Sequence, residues 1–148
     1  MSLSGTDSEL RAVTLCSGTA TGDVLWLDEP LSFWGGTDLE TGIVTDVHHP
    51  QHGVSLSGSV VIMTASRGSS SSSSVLAEQI RAGVGPAAIV LSLRDPIVVL
   101  GALVAAEVYD IRMPIILLTE EERERLPRHG LLTVTAEEPV ATVDWTAQ

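Results

Sequence analysis

The sequence predicts an α/β domain with a parallel core and antiparallel additions. Three observations carry this. Apolar runs at residues 60–64, 87–91 and 114–118 have the length of buried strands. Two helix-patterned segments, residues 72–82 and 97–109, separate them. Shorter strand-like stretches precede and follow this β-α-β-α-β unit.

Taken in order, residues 11–16 alternate moderately and read as a first strand. Ser17-Gly18-Thr19-Ala20-Thr21-Gly22 is turn-rich, and residues 23–27 resume as a second strand. Residues 29–36 are neither helical nor strand-like, and they hold Phe33 and Trp34 in a chain that is only 3% aromatic. Gly35-Gly36 lets the backbone turn sharply or approach a ligand, so these aromatics serve either the core edge or a site. Residues 43–47 form a short strand candidate. The following His48-His49-Pro50-Gln51-His52-Gly53 is a turn, whose histidines are expected to hydrogen-bond rather than bind a metal. The helix from 72 to 82 ends at Gly83, a suitable C-cap. Pro96 opens the second helix, where the first turn tolerates proline. Its Gly101, Ala102, Ala105 and Ala106 require close packing against a sheet or a partner. A short charged helix at 120–126 and a strand at 131–135 follow, and the chain can finish with a short strand near Asp144-Trp145.

The 148 residues are expected to form one domain, with 1–10 and 140–148 loosely ordered. A chain of this size buries roughly 70% of its unfolded surface, so it needs no staple. No apolar run approaches the roughly 20 residues of a membrane-spanning helix. Residues 1–9 are polar and acidic, unlike a signal peptide, and a single cysteine, Cys16, allows no internal disulfide. A cytoplasmic protein follows as the simplest expectation. The net charge of −11 counts against nucleic acid. All basic residues are arginine, which excludes lysine Schiff-base chemistry and a Gly-Lys-Ser/Thr P-loop.

The candidate site is Ser66-Arg67-Gly68-Ser69-Ser70-Ser71-Ser72-Ser73-Ser74. A serine run is most often a linker. This one sits directly between an apolar strand and a helix, so it reads as a loop pinned inside one fold. Such a loop presents backbone N–H groups and a partial positive charge at a helix N-terminus, where anions and carboxylates bind.

Several segments in one order resemble the aconitase X small subunit over roughly residues 18–118. They are Glu29-Pro30-Leu31-Ser32-Phe33-Trp34-Gly35-Gly36, Thr41-Gly42-Ile43-Val44-Thr45-Asp46, His49-Pro50 and Gly53, then Arg67-Gly68-Ser69-Ser70-Ser71-Ser72-Ser73 with Val75-Leu76-Ala77-Glu78. Pro86-Ala87-Ala88-Ile89, Asp95-Pro96 and Gly101-Ala102-Leu103-Val104-Ala105 continue the likeness. Ser66 departs from it, standing where glycine is expected. The resemblance implies a swivelling β/β/α domain, a mixed sheet or barrel, that supplies a serine base to a dehydratase. It also implies a large-subunit partner in a heterodimer, holding an iron or iron–sulfur centre that this one-cysteine chain could not ligate. The implied substrates are cis-3-hydroxy-L-proline, giving 1-pyrroline-2-carboxylate, or mevalonate 5-phosphate, giving anhydromevalonate phosphate. The text at 75–78 and 101–105 is similar to stand-alone bacterial small subunits and favours hydroxyproline.

Both substrates carry a carboxylate, an acidic α-proton and a β-hydroxyl, so a base completes the dehydration. The resemblance assigns the base to Ser69. Arg67, Gly68, Ser70 and Ser71 are the expected substrate-binding residues, with Ser71 standing where aconitases have a substrate-binding arginine. Ser72 to Ser74 are expected to cap the helix. Two other classes stay open: a non-catalytic anion-binding module, and a structural subunit with residues 101–106 as its interface.

Overall fold

The computed structural model describes residues 8–68 and 70–146. Among these, seven strands close into a barrel in the order β1-β5-β4-β3-β2-β6-β7. The strands are β1 (Glu9–Cys16), β2 (Gly18–Trp26), β3 (Ser59–Ile62), β4 (Ala88–Leu91), β5 (Ile115–Leu117), β6 (Leu131–Ala136) and β7 (Ala141–Asp144). Helices α1 (Ser70–Ala82) and α2 (Pro96–Tyr109) connect β3 to β4 and β4 to β5, and the short α3 (Glu120–Arg123) follows β5. β2, β3, β4 and β5 are mutually parallel, while β1, β6 and β7 make the antiparallel pairs.

The expected parallel unit is therefore present, and closure follows from the additions. β1 joins β5 on one side and β7 on the other, with Val13 opposite Leu117 and Leu10 opposite Val143. Residues 9–10 and 141–144, expected as loose ends, are paired strand.

Alternation along β3, β4 and β5 divides the apolar residues between two cores. Val60, Ile62, Ala88, Val90, Ile116 and Leu118 face the barrel interior with Leu132, Val134 and Val143. Val61, Met63, Ile89, Leu91 and Ile115 face outward beneath Leu76, Ile80, Val98, Ala102 and Ala105 of the helices. Strands covered on both faces need no polar positions, which explains their uninterrupted apolar text.

Two strand expectations are corrected. Residues 17–22 are not a turn, because β2 begins at Gly18 and pairs with β6 from Gly18↔Ala136 to Asp23↔Leu131. Thr21 and Thr133 hydroxyls meet across that pair at 2.8 Å. Gly22 belongs there because a Cβ would lie 2.3 Å from the Gly58 carbonyl oxygen. Residues 43–47 form no strand and make only single bridges, Thr37↔Val44 and Ile43↔Ser55.

The small-residue face of α2 is not a free interface. Gly101, Ala102 and Ala105 are buried against α1, and a Cβ on Gly101 would meet the Ser73 carbonyl oxygen at 2.9 Å. The exposed large apolar residues of α2 are instead Leu100, Leu103, Val108 and Tyr109. We predict that Gly101→Val destabilises the chain by about 1–3 kcal/mol through forced separation of the two helices. Urea denaturation of the chain checks this, and an unchanged midpoint would contradict the packing.

Candidate active site

Parallel β/α units send their strand-to-helix loops to one edge of the sheet, where α/β sites form. Here the loop from β3 to α1 and the loop from β4 to α2 share that edge. They are joined there: Ser92 and Leu93 N–H groups donate to the Thr64 carbonyl at 3.2 and 3.0 Å. The serine-rich segment thus lies where the topology collects functional loops.

Its entry is held by named contacts. The Ser66 N–H and hydroxyl both donate to Asp95 Oδ2 at 2.6 Å. The Arg67 N–H donates to the Leu31 carbonyl at 3.0 Å. Gly68 has φ +121°, and a Cβ there would approach Ser32 Oγ and Ser72 Oγ to 2.9 Å each. Only glycine meets both conditions. Arg67 and Gly68 are exposed, as are Ser70 and Ser71 in the first turn of α1. In the chain these four flank Ser69, which itself lies outside the described residues. Ion pairs among the described residues engage Arg81, Arg123 and Arg128, and none engages Arg67.

The serine run divides by helical phase. Ser72 and Ser73 are buried and do not cap the helix, contrary to expectation. Ser72 Oγ accepts the Trp34 N–H at 3.2 Å and lies 3.4 Å from Ser32 Oγ, while Ser32 Oγ donates to the Trp34 carbonyl at 2.6 Å. Ser73 Oγ donates to the Ile97 carbonyl at 2.7 Å, linking α1 to α2. The periodicity that buries Leu76 and Ile80 places 72 and 73 on the same face, so this signal was available in the sequence.

Residues 33–36 form one kinked turn, with extended backbone at Trp34 and φ 83° at Gly35. The turn separates its aromatics. Phe33 is fully buried, whereas Trp34 is 62% exposed beside the serine loop. Buried Gln79 fastens the turn to α1, its Nε2 donating to Thr37 Oγ1 at 2.9 Å and to the Asp38 carbonyl at 3.0 Å. Sequence reasoning missed Ser32, Gln79 and Asp95 as supports, because their partners are distant in the chain.

Within the histidine turn, His49 has a structural role. His49 is buried; its Nε2 sits 2.9 Å from the Glu29 carbonyl and its Nδ1 accepts the Gln51 N–H at 3.0 Å. Among the described residues no three His, Cys, Asp or Glu side chains are grouped as a metal site requires. Cys16 is buried in the helix-side core, and burial pushes its thiol up while nearby Arg112 partly opposes this.

Two outcomes follow. Gly68→Ala should leave the barrel folded but displace the loop, lowering any loop-dependent rate by about 10- to 100-fold, as misplacements of ~1 Å do. A rate measured in any assay that depends on the loop reads this. The Cys16 thiol should resist a neutral disulfide reagent at pH 8 until denaturant is added, since its thiolate fraction is lowered. Prompt labelling of the folded chain would contradict the burial.

The aconitase X swivel domain model matches residues 9–143. The cis-3-hydroxy-L-proline dehydratase of Pseudomonas aeruginosa is 45% identical over 107 residues, 72% of this chain but 18% of its own length. The chain thus spans about a fifth of such relatives, the Hypocrea jecorina enzyme of the same name included. The phosphomevalonate dehydratase small subunit of Methanothermobacter thermautotrophicus is 38% identical over 97 residues, covering 66% of this chain and 74% of the relative. In structure, the crystal form of Thermococcus kodakaraensis aconitase X (holo-form) superposes with a TM-score of 0.78 at 27% identity, over 91% of this chain and 97% of that one. With the barrel, the two crossover helices and the glycine-serine loop in their places, the chain belongs to the aconitase X swivel-domain family.

Proposed function

We propose that this chain is the swivel-domain subunit of a cytoplasmic dehydratase that removes the α-proton and β-hydroxyl of a hydroxy carboxylate. The preferred substrate is cis-3-hydroxy-L-proline. The observation that carries this is the anchored loop of Arg67 and Gly68, exposed at the functional edge of the sheet and leading into α1. The 45% identity to a hydroxyproline dehydratase supports the choice of substrate.

In this reading Ser69 takes the α-proton. A serine hydroxyl is a weak base, so its alkoxide needs a positive environment. The N-terminus of the 13-residue α1 supplies partial positive charge, and the Arg67 guanidinium supplies a full one. Arg67 also pairs with the substrate carboxylate, which withdraws charge from the carbon losing its proton. Gly68, Ser70 and Ser71 present small groups and hydroxyl donors around the same carboxylate. The hydroxyl departs, water is the second product, and the ring enamine left behind tautomerises to 1-pyrroline-2-carboxylate. Trp34, exposed beside the loop, limits solvent entry when a partner covers this edge. The partner is a large subunit, which holds the iron or iron–sulfur centre.

A second reading has its own support. Phosphomevalonate dehydratase small subunits are of similar length to this chain, which covers 74% of one and 87% of another. Mevalonate 5-phosphate is then the substrate, with its phosphate held by the partner.

Co-expression with the large subunit, followed by anaerobic assay with iron on both substrates, tests the proposal. Turnover should require both chains, and Ser69→Ala should lower kcat by about 10²- to 10⁴-fold, the range of acid–base catalysis. A near wild-type rate would remove Ser69 as base. A stable, iron-loaded complex that dehydrates neither substrate would remove the reading.

A further inference from the structure

Asp95 is buried, and each of its carboxylate oxygens has a separate task. Oδ1 accepts the N–H groups of Ile97 at 3.0 Å and Val98 at 3.3 Å, which caps α2. Oδ2 accepts both donors of Ser66 at 2.6 Å, one from the backbone and one from the hydroxyl. Serine, threonine or asparagine would cap the helix equally well. The second oxygen is what distinguishes aspartate here. Hydrogen bonds to an ionised carboxylate are shorter and roughly twice as strong as neutral ones. Pro96 fixes the backbone just after Asp95, so the acceptor is held on a rigid helix start.

The bonded residue opens the serine loop. Ser66 precedes Arg67 and Gly68, and Arg67 carries the next anchor, to the Leu31 carbonyl. A chain fixed at two consecutive residues, followed by a Gly68 whose φ of +121° and close neighbours exclude a side chain, has little freedom of path over residues 66–68. We propose that Asp95 is a positioning residue for the dehydration: through Ser66 it fixes the path of residues 66–68, the segment that leads into the proposed base. This rests on the dehydratase reading. It also gives a purpose to serine at position 66, where the hydroxyl adds a second donor to the same oxygen.

Asp95→Ser separates the two tasks, since serine caps α2 but is too short to serve Ser66 as well. The subunit complex carrying it should lose about 10- to 100-fold in kcat, as a misplaced catalytic group does, with KM changed by less than about twofold. Ser66→Ala, which removes only the hydroxyl and keeps the backbone donor, should lose less. The double variant should lose no more than Asp95→Ser alone, because both act through one contact. Hydrogen exchange on the full chain gives a readout independent of turnover: the Ser66 and Arg67 amides should exchange faster in Asp95→Ser while the α2 amides stay protected. Unchanged kcat, additive losses in the double variant, or unchanged exchange at 66 and 67 would each overturn the proposal. Exchange rising throughout α2 would reduce Asp95 to a helix cap. A wild-type complex without turnover would defeat the dehydratase reading instead, and the exchange comparison would still decide whether Asp95 holds the loop.

Discussion

Burial of β3, β4 and β5 on both faces is the constraint from which the rest of the architecture follows. One face of each strand needs the barrel interior and the other needs helices, so α1 and α2 must lie side by side on the outside. Parallel strands with helical crossovers then turn their carboxyl ends the same way. The loops at 64–68 and 92–95 are brought together by that geometry, not by any affinity of their own, and the Thr64 carbonyl joins them once they meet. The close approach of α1 to α2 at Gly101 continues the same logic, because the Ser73–Ile97 bond links the first turns of both helices.

This constraint also decided what could be read from the sequence. Two-sided burial leaves uninterrupted apolar runs, and these were legible at 60–64, 87–91 and 114–118. Helix ends were legible where they have chemical marks, Gly83 with its φ of 80° and Pro96. β2 was obscured because its first half is glycine and threonine, residues chosen for close approach to Gly58 and for pairing with Thr133. Those residues look like a turn. The apolar residues at 43–47 misled in the opposite direction: Val44 packs into the helix-side core without belonging to a ladder.

The site was legible in its location and less so in its divisions of labour. Six consecutive serines look equivalent as text, yet the helix distributes the five it contains by angle: 70, 71 and 74 are exposed, while 72 and 73 enter the interior. A buried hydroxyl requires a partner, and those partners, Trp34 and Ile97, lie 38 and 24 residues away. Pro96 marked the start of α2, but nothing local in the sequence signals that one oxygen of the preceding Asp95 reaches Ser66, 29 residues earlier. Supports built from tertiary contact leave no short-range pattern.

The pairing of Glu9 with Asp144 brings the first and last strands of the barrel into register as neighbours. A ring of strands that begins and ends at one seam has no unpaired edge to offer a stranger, and its two entry points are adjacent. Such a unit can be spliced onto either end of a longer polypeptide, or detached from it, without opening its core. The family uses both arrangements: related sequence occurs inside chains about five times longer and also as a separate small subunit. Both arrangements are ones that the barrel's seam permits without opening the ring of strands.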